Sequence, residues 1–279
     1  MQVVALQFDI AWEDKPANFE KVRRLLDQAQ PEKNALVVLP EMFATGFSMN
    51  TAAIAEPYGG QTERFLSETA RELGVYLVGG AALLGKDGRP RNKALAFSPA
   101  GELLGFYAKM RPFAPGGEAK HYVAGEQPVV LRWGECSVSP FVCYDLRFPE
   151  LFRQAAAAWR PELFLVIASW PEKRITHWRR LLEARAIENQ AYVVGVNRIG
   201  RDPYYAYTGG SVVVDPMGVT VADAADRECA ISASLDLANL RKYREGLPFL
   251  KDIRETLVPK LDAVVSKDGT LKTDSGRRS

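Results

Sequence analysis

Short apolar runs alternate along the chain with stretches in which apolar residues recur every three or four positions. The runs predict buried strands and the periodic stretches predict amphipathic helices. Residues 3–8 read as the first strand. The helix after it is capped by Asp14, has Pro16 in its first turn, and carries an apolar stripe of Phe19, Val22, Leu25, Leu26 and Ala29. Residues 35–39 are a continuous apolar run ending in Pro40-Glu41. A second helix spans about 62–73, with Gly74 placed to end it. Residues 75–78 predict a strand. Residues 93–97 and 103–108 predict a strand pair around Ser98-Pro99-Ala100-Gly101, and 129–133 and 137–142 predict a second pair. The alternation then continues as helix 149–159, strand 163–168, helix 176–190 and strand 192–197. A hairpin of 212–214 and 219–222 follows, around Asp215-Pro216-Met217-Gly218. Mixed elements of this kind predict an α/β fold, a sheet covered by helices.

With 279 residues, 47% of them hydrophobic, there is material for one large core. The expected division is a domain over 1–256 and a polar tail over 257–279, poorly ordered or an arm on a partner. Formal net charge is +2 and no basic stripe is present, so no nucleic-acid partner is expected. The one basic cluster, Lys272 with Arg277 and Arg278, reads as a solvated tail. No apolar stretch approaches the roughly 20 residues that cross a bilayer. Met1-Gln2-Val3-Val4 also lacks the start of a signal peptide, so the expectation is no membrane and a cytoplasmic location. Three cysteines, Cys136, Cys143 and Cys229, do not suggest a disulfide framework. Two histidines without a zinc-binding spacing suggest no metal.

Three segments place a reactive side chain at the end of an apolar strand, where α/β proteins build their sites. Glu41 follows Val37-Val38-Leu39-Pro40; a carboxylate there is partly desolvated and suits a general base, although a surface loop glutamate reads equally well. Lys109 ends Phe106-Tyr107-Ala108 and could supply a fixed positive charge to an oxyanion, or snorkel from a sheet edge. Cys143 lies where Ser139-Pro140-Phe141-Val142 turns into Tyr144-Asp145-Leu146-Arg147. A thiol at such an elbow can have a lowered pKa, with backbone N–H groups near it. Glu118, after Gly116-Gly117, reads by itself as a solvated loop residue. Asp145 and Arg147 read as residues that shape the elbow, and Arg185, on the apolar stripe of its helix, as half of a structural ion pair. His121 and His177 are far in sequence from Cys143, which leaves a Cys-His pair open.

Taken together, Leu39-Pro40-Glu41, Tyr107-Ala108-Lys109 and Cys143-Tyr144-Asp145-Leu146-Arg147-Phe148-Pro149-Glu150 resemble the three signature segments of the nitrilase (carbon–nitrogen hydrolase) superfamily, in order. Ala168-Ser169-Trp170-Pro171, His177-Trp178, Ala184 to Gln190 and Asp215-Pro216-Met217-Gly218 look like further landmarks, so the resemblance covers roughly Met1 to Asp252. It implies a four-layer α-β-β-α sandwich, commonly a homodimer whose sheets extend across the interface, with no metal or organic cofactor. It also implies a triad of Glu41, Lys109 and Cys143 assisted by Glu118, with Lys109 and the Tyr144 N–H holding the oxyanion. Glu41 to Met49 and the Cys143-Tyr144-Asp145 elbow are similar to the bacterial omega-amidases, which hydrolyse terminal amides of 2-oxo acids such as 2-oxoglutaramate and 2-oxosuccinamate. True nitrilases usually show Cys-Trp-Glu at that elbow. The substrate is then a small anionic amide, and a cation is needed for it; Arg174 is the candidate, with Lys173 as alternative. The proline- and glycine-rich Ala114-Pro115-Gly116-Gly117 departs from the group and bears on the alignment of Glu118. Competing expectations are an aliphatic amidase, an N-carbamoyl amino acid hydrolase, a non-catalytic binding protein, and a thiol redox sensor pairing Cys136 with Cys143.

Overall fold

The computed structural model describes residues 1–258, 264–267 and 270–272. In chain order the regular elements are β1 (Gln2–Gln7), α1 (Lys15–Ala29), β2 (Leu36–Val38), α2 (Thr51–Ile54), α3 (Gln61–Leu73), β3 (Tyr76–Leu84), β4 (Pro90–Phe97), β5 (Leu103–Ala108), β6 (Val129–Trp133), β7 (Cys136–Val142) and α4 (Pro149–Trp159). They continue with β8 (Leu163–Ile167), α5 (Ile175–Asn189), β9 (Tyr192–Val196), β10 (Ile199–Arg201), β11 (Ala206–Thr208), β12 (Val212–Val214), β13 (Thr220–Asp223), β14 (Cys229–Ser234), α6 (Leu237–Gly246), β15 (Val264–Lys267) and β16 (Thr270–Lys272).

Two large sheets result, one in the order β14-β1-β2-β3-β4-β5 and one in the order β13-β12-β9-β8-β7-β6-β15-β16. Each has a parallel centre, β1-β2-β3 in one and β7-β8-β9 in the other, flanked by antiparallel strands. Successive residues of β1 serve different cores. Val3 and Ala5 enter the layer between the sheets, while Val4 and Leu6 pack with Val22, Leu25, Phe65 and Leu66 under α1 and α3. β2 divides in the same way, Leu36 and Val38 inward, Val37 and Leu39 outward. Burial on both faces explains why these strands read as unbroken apolar runs and not as alternating ones. On the far side α4 and α5 cover the second sheet with Leu151, Phe152, Trp178 and Leu182. The layers are therefore α-β-β-α, as expected.

The helix ends follow their sequence signals: the Asp14 side chain accepts from the Ala17 N–H, and Gly74 closes α3 with φ 67°. Of the tail, residues 264–267 and 270–272 are strands, β15 pairing in parallel with β6; the expectation of poor order for the rest falls outside the described residues. Among the described residues no helix is long and apolar enough to cross a membrane.

Candidate active site

Strand ends at one side of the two sheets bring the expected residues together. Glu41 follows β2 through Pro40, in a turn where Met42 has φ 45°. That turn lies hard against β3. Gly80 donates to the Pro40 carbonyl at 3.2 Å and accepts from the Phe43 N–H at 3.2 Å. A Cβ at Gly80 would meet Met42 N at 2.5 Å and Glu41 Cα at 2.6 Å, so only glycine permits this approach. Lys109 follows β5, its N–H donating to the Asn92 carbonyl on β4 at 2.9 Å. Cys143 follows β7 with φ 49°, a left-handed conformation rare for a side chain with a Cβ, which makes the turn after the strand a strained elbow.

Glu41, Lys109 and Glu118 are all fully buried. The Lys109 ammonium lies 2.8 Å from Glu41 Oε1 and 2.8 Å from Glu118 Oε2. Asn92 Nδ2 donates to both carboxylates, at 2.7 Å to Glu41 and 2.9 Å to Glu118. The second oxygen of Glu41 accepts the Ser169 N–H at 2.8 Å, and Glu118 Oε2 also accepts the Phe113 N–H. A lone buried charge is costly, but here each has a partner and further hydrogen bonds. Burial alone would strip the proton from Lys109; the flanking carboxylates of Glu118 and Glu41 outweigh it and hold the ammonium well above its ordinary pKa. Glu118 is thus no solvated loop residue: the turn Glu118–Lys120 folds it beneath the sheet ends.

Cys143 is 8% exposed, with Sγ 3.9 Å from the Ser169 carbonyl. Burial, reinforced by Glu41, pushes its thiol well above the ordinary range, against the opposing pull of Lys109. The lowered pKa expected of an elbow thiol is therefore overturned. Tyr144 is the second residue of the short 3-10 turn Cys143–Arg147, whose first N–H groups have no acceptor within the turn. Neither histidine stands by the thiol: His177 Nδ1 faces Arg147 at 3.3 Å and His121 is exposed. Cys136 opens β7 and Cys143 follows its last residue. Seven extended residues span roughly 23 Å, which removes the disulfide-switch alternative.

Above the thiol lies a narrow cleft lined by Phe47, Phe113, Tyr144, Arg147, Ser169, Trp170, Pro171, Arg174 and Tyr205. Arg174 stands on its wall with the guanidinium 5.5 Å from the Phe113 ring centre, and Lys173 is not among the lining residues. Arg147 was expected to shape the elbow with Asp145. It stands instead in the cleft, 4.7 Å over Trp170, its pKa lowered by burial and by the neighbouring Arg174. Asp145 turns away and is buried, accepting from Val142 N, Arg111 N and Tyr107 Oη. Arg185 does form its ion pair, with Glu188 at 3.0 Å. Asn92, Ser169 and Tyr205 are site residues that sequence reasoning missed. Only Ser169 had a signal, in its Ala-Ser-Trp-Pro segment. No cluster suited to a metal occurs among the described residues.

The carbon-nitrogen hydrolase family profile matches residues 2–245. An omega-amidase of Yersinia enterocolitica, YafV, is 38% identical over 92% of this chain and 98% of its own. A 2-oxoglutaramate amidase of Bacillus subtilis is 31% identical over 91% of this chain and 98% of its own. Among solved structures, a CN-hydrolase superfamily protein of Xanthomonas campestris with an arsenic adduct in its active site matches with a TM-score of 0.86. It is 32% identical and covers 91% of this chain and 97% of that one. The chain belongs to the carbon-nitrogen hydrolase family, within the nitrilase superfamily, and is a hydrolase of carbon–nitrogen bonds.

Proposed function

We propose that this protein is an omega-amidase that hydrolyses the terminal amide of 2-oxo acids such as 2-oxoglutaramate and 2-oxosuccinamate to the acid and ammonia. The observation that carries this reading is the pair Arg147 and Arg174 in the cleft above Cys143. Both guanidiniums are stacked on aromatic rings, and neither has a carboxylate within 4.0 Å among the described residues. Two like charges held together without a counter-ion suit a small substrate with an anionic end. A neutral aliphatic amide would leave them unpaired.

In this mechanism Glu41 takes the thiol proton as Sγ of Cys143 attacks the amide carbonyl. Lys109 and the Tyr144 N–H hold the oxyanion. Glu41 returns the proton to the nitrogen, ammonia leaves, and a thioester remains. Glu41 then deprotonates water, which attacks the thioester; the acid departs and the thiol regains its proton. Glu118 and Asn92 fix Lys109 and Glu41, so that the charge is in position before the oxyanion forms.

Ammonia release from 2-oxoglutaramate by wild type and by Cys143→Ala tests the reading. Release by wild type alone supports both substrate and nucleophile. Release by neither, alongside hydrolysis of aliphatic or carbamoyl amides, moves the protein to a rival amidase, and inactivity on the whole panel favours a binding protein. Arg147→Ala should raise KM for 2-oxoglutaramate about 10- to 100-fold, the worth of a charged hydrogen bond. An unchanged KM in Arg174→Ala would rule out Arg174 as an anchor. The reading extends to a cytoplasmic homodimer whose domain covers 1–256, followed by 257–279, of which β15 and β16 add to the second sheet.

A further inference from the structure

A second cavity, of about 440 Å³, opens on the other side of β4 and β5. Along β4 the side chains alternate in direction. Asn92 points to Glu41 and Glu118, and its neighbour Lys93 lines the second cavity. Lys93 is 1% exposed. Its ammonium donates to the Tyr58 hydroxyl at 2.7 Å and lies 4.3 Å from the Phe106 ring centre and 4.6 Å from that of Tyr58. An ammonium carries three N–H donors. Among the described residues the other two have no acceptor, and no carboxylate lies within 4.0 Å. Glu63 and Asp87 act on it only from beyond that distance, and Asp87, which lines the cavity with Glu126 and Arg91, is already held by Arg91 through two hydrogen bonds, at 2.7 and 3.0 Å. Burial and the proximity of Arg91 push the Lys93 pKa down to about 8. Among the described residues every other buried cation has a partner or a role: Lys109 in the triad cluster, Arg185 on Glu188, Arg198 on Asp9. Burying an ammonium with only a phenol and two ring faces for company is costly, and a structural side chain gains nothing by it that a methionine would not supply.

We propose that this cavity is a binding site for a small carboxylate with an apolar body, the carboxylate meeting the Lys93 ammonium. The aromatic walls at Tyr58 and Phe106, with Ala108, Ala124 and Val129, receive the apolar part. Tyr58 is 43% exposed, so this wall of the cavity meets solvent. The site is separate from the reaction cleft, yet Lys93 adjoins Asn92, and Ala108 adjoins Lys109. Gly125, also in the cavity wall, donates to the Lys109 carbonyl at 2.8 Å.

Calorimetric titration with 4-phenylbutyrate is the test, on the full-length protein, with inorganic phosphate as the anion lacking an apolar body. Wild type should bind 4-phenylbutyrate saturably and one to one, and phosphate at least tenfold more weakly. Lys93→Met should weaken 4-phenylbutyrate binding at least tenfold, whereas Arg147→Ala, in the reaction cleft, should leave it unchanged. Melting temperatures give a second reading: Lys93→Met should melt at or above wild type, because an unpaired buried charge has been removed. No saturable binding at millimolar 4-phenylbutyrate, equal binding of phosphate, equal binding by Lys93→Met, loss of binding in Arg147→Ala, or a lower melting temperature for Lys93→Met would each overturn the proposal.

Discussion

The thiol of Cys143 is buried beside one cation and two carboxylates, and burial together with Glu41 outweighs the pull of Lys109. Raised well above the ordinary range by burial and by Glu41, it should be a neutral thiol at pH 7 that becomes a nucleophile only as Glu41 accepts its proton. A raised pKa means that the thiolate appears at higher pH than in a free cysteine. The 240 nm absorbance difference between wild type and Cys143→Ala should therefore be absent at pH 7 and grow in the alkaline range; a thiolate step below pH 7 would contradict this. Two residues along, Asp145 joins both halves of the site. Its carboxyl accepts from Val142 N at 3.0 Å on the elbow, and from Arg111 N at 2.8 Å and Tyr107 Oη at 2.9 Å on the Lys109 segment. Burial pushes its pKa up to about 7, against the pull of Lys109 and of these donors. Asp145→Asn keeps the shape but turns one acceptor into a donor, at a cost of about 1–3 kcal/mol. It should lower kcat about tenfold or more and the melting temperature with it, with KM within twofold of wild type. An unchanged kcat would reduce Asp145 to a bystander. At this scale the sequence showed which residues ended apolar strands, and so the strand-end positions of Glu41, Lys109 and Cys143 were legible. It did not show Arg147 in the cleft, and it placed Glu118 beside Lys109 only through the family resemblance, its own loop reading as solvated. Those depend on which way a turn is wound and on contacts across long stretches of chain.

Among the elements, legibility followed burial. β1, β2, β8 and β9 are buried on both faces and stand out as apolar runs; α3 has a clean apolar face over Phe65, Leu66 and Ala70. Besides the four-residue α2 and the tail strands β15 and β16, three kinds of element escaped. β14 is Cys-Ala-Ile-Ser-Ala-Ser with only Ile231 buried, an edge strand that carries little apolar signal. α6 buries Leu240 alone and so shows no stripe. The pair β10 and β11 has three residues in each strand, too short for periodicity to register. What an element positions can still be decided by one residue on its neighbour, as Gly80 on β3 decides the place of Glu41. A Cβ at Gly80 would collide with backbone, which cannot rotate away as a side chain can. Gly80→Ala should push the Glu41 turn off β3 and lower kcat about 100-fold, the scale expected of a 1 Å misplacement. Circular dichroism should show the secondary structure retained. A kcat within twofold of wild type would mean the turn has slack that these distances do not suggest.

Across the whole molecule, the apolar surface left uncovered is not evenly spread. Ile187 on α5 is 51% exposed, and Met217, Val219 and Val221, in and after the turn between β12 and β13, are 61%, 57% and 48% exposed. They form one patch, because a Cβ at Gly218 in that turn would lie 2.6 Å from Ile187 Cδ1. The patch adjoins β13, the last strand of its sheet, whose outer edge has no partner strand among the described residues. A contiguous apolar patch next to an open strand edge is where a self-complementary contact costs least and removes most from water. A two-fold contact would cover both copies of the patch at once and protect the edge. Sedimentation velocity at micromolar concentration should therefore give a dimer for wild type. Val219→Asp combined with Met217→Asp should give a folded monomer, since each aspartate would be buried without a partner at the contact. Glu41, Lys109, Glu118 and Cys143 all belong to one chain, so that monomer should retain measurable turnover. A wild type that sediments only as monomer, or a double variant that stays dimeric, would locate the association elsewhere or remove it.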